Sequence, residues 1–215
     1  MTPVSAPVSP EDVFASALRG EPCLVIDEDG RDAWLPTEQW LRDADSHDET
    51  FLGLCDGPTV DIGCGPGRMT HALARTGRTV LGIDVVPEAI RLSLGRGVTA
   101  LLRDVFGPIP GEGRWGTALL ADGNIGIGGD PVALLQRTRQ LIAPSGRVVV
   151  ELAPPGTGVR TRHVQLATTV GRSAPFAWTT VAADAIEAVA RAAGLRAATA
   201  HRGGGRYGAV LVVRR

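Results

Sequence analysis

The run Val60-Asp61-Ile62-Gly63-Cys64-Gly65-Pro66-Gly67-Arg68, with Asp84 at the far end of the next apolar run, constrains this chain's fold more than any other feature. It reads as strand, glycine turn, helix, strand, acid. Pro58 to Ile62 is short, apolar and rich in β-branched residues, which suits a strand buried on both faces of a parallel sheet. Three glycines then stop it. Without a Cβ, Gly63, Gly65 and Gly67 can take positive φ, so the backbone can turn sharply and approach a ligand before a helix begins near Arg68. A second strand, Thr79 to Ile83, ends on Asp84, an acid placed to accept hydrogen bonds from both hydroxyls of a ribose. These features outline a nucleotide-binding crevice in an α/β fold.

The glycine spacing separates two families. Nicotinamide-binding folds carry G-x-G-x-x-G, which would need glycine where Arg68 stands; here the pattern is G-x-G-x-G. With Asp61 ahead of it, the segment resembles motif I of the class I S-adenosylmethionine-dependent methyltransferases. Leu101-Leu102-Arg103-Asp104-Val105 resembles that family's third-strand motif, Ala118 to Asp122 its fourth strand, and Leu141 to Val150 the helix end, turn and fifth strand. The resemblance implies a seven-stranded, mostly parallel Rossmann-like sheet with helices on both faces. Leu195 to His201 and Tyr207 to Val213 would complete it as an antiparallel strand pair. It also implies S-adenosyl-L-methionine as cofactor and S-adenosyl-L-homocysteine as product. The cofactor residues so implied are Asp61, Gly63, Cys64, Gly65 and Gly67 in the turn, Asp84 and Val85 at the ribose, Asp104 and Val105 at the adenine, and Asp122 after strand four.

Composition removes several other functions. The chain has 215 residues, suited to one domain with a sizeable core. A net charge of −1 gives no electrostatic footprint for nucleic acid or an anionic membrane. All 22 basic residues are arginine, so neither a P-loop lysine nor a lysine Schiff base is available. Cys23, Cys55 and Cys64 form no C-x-x-C pair, which suits a reducing cytoplasm and argues against a disulfide framework or a zinc site. No segment has the length of a membrane span and Met1 to Pro10 lacks the form of a signal peptide, so a cytoplasmic location is expected. Abundant arginine without lysine, together with much glycine and alanine, points to a GC-rich bacterial genome.

Residues 1–57 precede the core and read as a lid segment, with the methyltransferase-like core at 58–215. Ser9 caps a helix over Pro10 to Leu18 that Gly20 stops. Cys23 to Ile26 and Ala33 to Leu35 flank an Asp29-Gly30 turn and predict a hairpin. Short helices are expected at Thr37 to Arg42 and Ser46 to Leu54. Beyond strand five, an additional strand is expected at Arg160 to Thr169 and a helix at Ala182 to Ala193.

The expected reaction is methyl transfer to an O or N atom of a small molecule, driven mainly by proximity and exclusion of water. His47 and His163 are the candidate catalytic bases, because imidazole titrates near neutral pH. Trp34, Trp178 and Asn124 are the candidate substrate contacts. Arg68 reads as an exposed first-turn arginine. No metal is expected: Asp122 and Asn124 follow strand four, but Ala153-Pro154-Pro155 stands where catechol-type enzymes carry further ligands. The sequence after strand four, Asp122-Gly123-Asn124-Ile125, also lacks the D/N-P-P-Y/F of DNA-base and glutamine methyltransferases. The partners expected are a small-molecule acceptor and, at most, a second copy of the chain. Two alternative readings are a nicotinamide-dependent oxidoreductase and a methyltransferase-like protein that binds the cofactor without turnover.

Overall fold

A computed structural model describes residues 8–214; the first seven residues of the proline-rich start lie outside that range. The core is a seven-stranded sheet. Its parallel part comprises β3 (Thr59–Ile62), β4 (Val80–Asp84), β5 (Ala100–Leu102), β6 (Trp115–Leu120) and β7 (Ile142–Leu152). β11 (Leu195–Gly203) and β12 (Arg206–Val213) complete it in the order β11-β12-β7-β6-β3-β4-β5. β12 runs antiparallel to both of its neighbours, whereas the pairings from β7 to β5 are all parallel. All four residues of β3 are buried, as a central strand covered on both faces requires.

Helices cover the two faces. α3 (Ser46–Leu52) and α4 (Arg68–Ala74) pack Phe51, Leu52, Met69 and Leu73 against Leu119, Val149 and Val210 on one face. On the other, α6 (Pro131–Leu141) and α7 (Ile186–Ala192) pack Leu134, Leu135, Val189 and Ala190 against Val60, Ala118, Val148 and Val150. Both β6 and β7 send alternate residues to opposite clusters, as a strand's two-residue period dictates. α3 opens with a capping box in which Asp45 and Asp48 each accept the other's backbone N–H. It therefore belongs to the core packing although it precedes the first core strand.

A second, antiparallel sheet has the order β10-β8-β1-β2. β1 (Leu24–Asp27) and β2 (Asp32–Trp34) form the expected N-terminal hairpin, and β1 pairs on its other side with β8 (Val159–Thr168). β9 (Gly171–Arg172) and β10 (Phe176–Val181) also pair with β8. β10 falls where no strand was expected. It is an edge strand whose first three residues are all half-buried, and only Thr179 to Val181 alternate buried, exposed, buried, a run too short to carry a period-two signal. α7 begins four residues later than expected, because Ala182 and Ala183 donate their backbone N–H groups to Gly158 and Ala153 and continue the extended path of β10.

α1 (Pro10–Leu18), capped by the Ser9 hydroxyl, fixes the second sheet to the first. One side of α1 packs Val13 and Ala17 against Leu166 and Cys23. Its other side packs Ala15 and Leu18 against Val86 and Ala89, the latter at the start of α5 (Pro87–Gly95). A 3₁₀ segment at Asn124–Gly129 lies against β10 at the other end, where the Thr179 hydroxyl donates to the Gly129 carbonyl at 2.6 Å.

Candidate functional site

The glycine turn takes the conformation its composition allows. Gly63, Gly65 and Gly67 have φ of +70°, +53° and +83°, values a side chain tolerates poorly. Close approach adds a second reason for glycine at two of them. A Cβ on Gly67 would fall 2.6 Å from the Ser93 hydroxyl, and one on Gly63 would fall 2.7 Å from Nδ2 of Asn124. The Gly63 and Cys64 amides both donate to the Ile83 carbonyl, which draws the turn over the end of β4.

Asp84 stands at that end. Its Oδ2 accepts from the Gly65 amide and its Oδ1 from the Val86 amide, each at 2.9 Å. Burial pushes its carboxyl above the ordinary range, and the two amides oppose that shift. Each carboxylate oxygen offers two acceptor sites and receives one protein N–H here, so the residue keeps capacity for two ligand hydroxyls. Val85 next to it, Leu102 opposite it on β5 and Phe106 in the loop after β5 are 48%, 46% and 45% exposed, an unusual set of apolar side chains left in solvent. Asp104 lies between Leu102 and Phe106, its Oδ1 accepting from the Phe106 amide at 2.9 Å. An acid that can hold diol hydroxyls, next to an apolar slot with a carboxylate at its rim, fits an adenosine moiety. Val105, by contrast, is buried in the core, while Leu102 and Phe106 take the exposed positions. Nothing in the alternation of a three-residue strand distinguished them.

Asp61 is buried, its Oδ2 accepting from the Thr70 hydroxyl at 2.6 Å. Burial pushes its carboxyl up to about 7, against the pull of the Thr70 bond. Cys64 turns its thiol inward to Ser93, and burial raises that thiol. Its contribution to the turn is therefore backbone. Asn124 reaches into the turn rather than outward: Nδ2 donates to the carbonyls of Ile62 and Gly63, both at 2.9 Å.

At the carboxyl ends of β6 and β7 lies a cluster that sequence reasoning missed. Arg68 is 3% exposed, not a surface residue. Its Nη2 meets Asp122 at 2.6 Å and its Nη1 meets Asp48. Arg206 contacts Asp48, Asp122 at 2.9 Å and Glu151 at 2.7 Å, and Arg42 meets Asp48 at 2.7 Å. Burial acts to raise the Asp48 carboxyl, but the arginines and the Asp45 amide outweigh it and hold it at about 2. Burial likewise opposes the charge on Arg206, which Glu151, Asp122 and Asp48 nevertheless hold above the ordinary arginine value. Asp122 itself has φ of +51°, and among the described residues it is the non-glycine residue with positive φ. Such strain persists only where the surroundings fix it, and here two arginines and the Glu151 carboxylate, which accepts the Asp122 amide at 2.6 Å, do so.

The histidine and tryptophan candidates separate. His47 opens α3 beside Asp48, and its ring packs against Gly204 in the turn between β11 and β12. His163 is exposed on β8 and meets Glu28 at 3.3 Å. By strand register His163 and Trp34 project from one face of the second sheet and Trp178 from the other. The two histidines, and the two tryptophans, are thus not brought together.

Residues 60–106 match the methyltransferase domain family. Over 109 residues the chain is 31% identical to a ubiquinone biosynthesis O-methyltransferase of Cupriavidus pinatubonensis, covering 46% of this chain and 43% of that one. The chain thus spans less than half the length of the curated relatives it matches. A crystal structure of an S-adenosylmethionine-dependent methyltransferase from Bacteroides fragilis, in complex with S-adenosyl-L-homocysteine, superposes with a TM-score of 0.80 at 21% identity, covering 96% of this chain and 94% of that one. The 1,6-didemethyltoxoflavin-N1-methyltransferase of Burkholderia thailandensis superposes with a TM-score of 0.58 at 20% identity, covering 97% and 92%. At these identities the likeness is one of fold. Among the described residues no helix is long and apolar enough to cross a membrane.

Proposed function

We propose that this chain, a member of the class I S-adenosylmethionine-dependent methyltransferase family, transfers a methyl group to an O or N atom of a small molecule. When bound, S-adenosylmethionine supplies a methyl group already activated on a sulfonium. The protein's own task is to bind, orient and exclude water. In this reading Asp84 holds the ribose hydroxyls. Val85, Leu102 and Phe106 enclose the adenine, with Asp104 at its amino edge. The glycine turn lets the backbone lie against the rest of the cofactor. The cluster around Arg68 and Arg206 fixes the ends of β6 and β7, where Asp122 borders the transferring group.

The observation that carries the reading is the position of Asp84, which shares hydrogen bonds with the glycine turn and is flanked by the exposed Val85. Calorimetric titration with S-adenosyl-L-homocysteine tests it. Native protein is expected to bind with a micromolar Kd, and Asp84→Ala to lose on the order of a hundredfold in affinity, since two charge-assisted hydrogen bonds disappear. Unchanged affinity in Asp84→Ala would sink the ribose assignment.

A further inference from the structure

We infer that the acceptor is a planar, aromatic molecule, held by an arc of four rings that runs from α2 (Thr37–Leu41) to β10. The inference rests on the methyl-transfer reading above and adds the class of acceptor. At one end of the arc Trp40 stacks on Phe14, with ring centroids 5.6 Å apart and planes 18° from parallel. At the other, Phe176 and Trp178 meet edge to face with centroids 6.4 Å apart. Phe14 and Phe176 border one apolar cluster around Val13, Ala17 and Leu166, which joins the two pairs into one surface.

Three observations set these rings apart from core filling. The aromatic residues that serve the core, Phe51 and Trp115, are 0% and 8% exposed, whereas all four rings of the arc are only partly buried. The arc also approaches the cofactor residues at two places. Phe14 packs against the cluster that contains Val86 and Ala89, directly after Asp84. Trp178 closes on the 3₁₀ segment, where a Cβ on Gly126 would fall 2.7 Å from its Nε1; the same segment begins with Asn124, which is bonded to the glycine turn. Finally, Phe176 and Trp178 share the face of the second sheet that α1 covers, and the Arg162–Asp27 ion pair lies on that face, Arg162 being cross-strand from Trp178. An apolar surface walled by rings, with an ion pair at its edge, suits a ring bearing a hydroxyl. Ring stacking rewards a planar ligand over a saturated one of the same size.

The test uses the full chain saturated with S-adenosyl-L-homocysteine and titrated with 2,3-dihydroxynaphthalene or with its saturated counterpart, decahydronaphthalene-2,3-diol. The naphthalene is expected to bind at least about tenfold more tightly than the saturated diol. Trp178→Leu, which keeps an apolar side chain, is expected to weaken the naphthalene about tenfold and to leave S-adenosyl-L-homocysteine affinity within about twofold. A gentler variant guards against misfolding: Trp178→Phe should retain naphthalene binding and lose the part of the tryptophan quenching that the ligand causes in the native protein. Equal binding of the two probes, or unchanged naphthalene affinity in Trp178→Leu, would overturn the acceptor inference while leaving the cofactor reading intact. Failure to bind S-adenosyl-L-homocysteine at all would overturn both.

Discussion

The carboxyl edge of the seven-stranded sheet and the second sheet are held by different forces. At the edge, the ends of β6, β7 and β12 are tied to α3 and α4 by charged groups: Arg68, Arg206 and Arg42 against Asp48, Asp122 and Glu151. The second sheet leans on α1 through Val13, Ala17 and Leu166, and in its Arg162–Asp27 pair, 3.4 Å apart, the guanidinium stays exposed. Charge networks of the first kind fix geometry, because each partner lost leaves another buried and unpaired. Apolar contacts of the second kind tolerate sliding. The residues assigned to the cofactor thus sit on the rigid edge, and the rings assigned to the acceptor sit on the surface better able to adjust.

The contrast is broken most directly by removing one arginine from each region. Arg206→Met is expected to lower the unfolding free energy by about 3 to 5 kcal/mol, because Asp48 and Glu151 lose a buried partner. Arg162→Met should cost less than about 1 kcal/mol, because its guanidinium is exposed and Asp27 keeps Arg31 and two backbone amides as partners. Urea denaturation of both variants measures the difference, and equal costs would contradict the division drawn above. Glycine turns offer a second comparison. Gly67→Ala meets both a positive φ and Ser93, whereas Gly30→Ala, in the β1–β2 turn, meets a positive φ and open space. The first is expected to cost about 3 kcal/mol and the second about 1 kcal/mol, again read from urea midpoints. The last comparison concerns pH. Asp48 titrates at about 2 in the folded protein, below its ordinary 3.8. Its contribution, about 2 kcal/mol, is therefore complete above pH 4 and is lost as pH falls through 2. Asp48→Asn should flatten that acid limb of the stability profile, and an unchanged limb would show that other carboxylates carry it.

Much of the first region was legible from sequence, and little of the second. The glycine turn, Asp84 and the strands that flank them are encoded by neighbours: β-branched runs, glycines needing positive φ, an acid one residue past a strand. The hairpin turn at Gly30 and the Ser9 cap were legible for the same reason. What was hidden depends on distant residues. Arg68 looked like a surface arginine because its partners are Asp122, 54 residues away, and Asp48 on a helix that only tertiary packing brings close. Arg206 is 158 residues from Asp48. β10 was missed because its first three residues are uniformly half-buried and only three residues alternate, and Asn124 was read outward although its amide is spent on the turn beneath it.

The pairing of β1 with β8 also sets an order of assembly. Glu28 and His163, which meet across that junction, are 135 residues apart in the chain. During synthesis the N-terminal hairpin emerges first and has no partner for its open edge until nearly all of the core strands have followed. Contacts of such separation close slowly, because the loop entropy must be met before they return any stabilisation. The aromatic arc is therefore a late product of folding: a chain that has completed its cofactor crevice still lacks the surface assigned to the acceptor, and its exposed hairpin edge is the place where a stalled molecule would be most prone to aggregate.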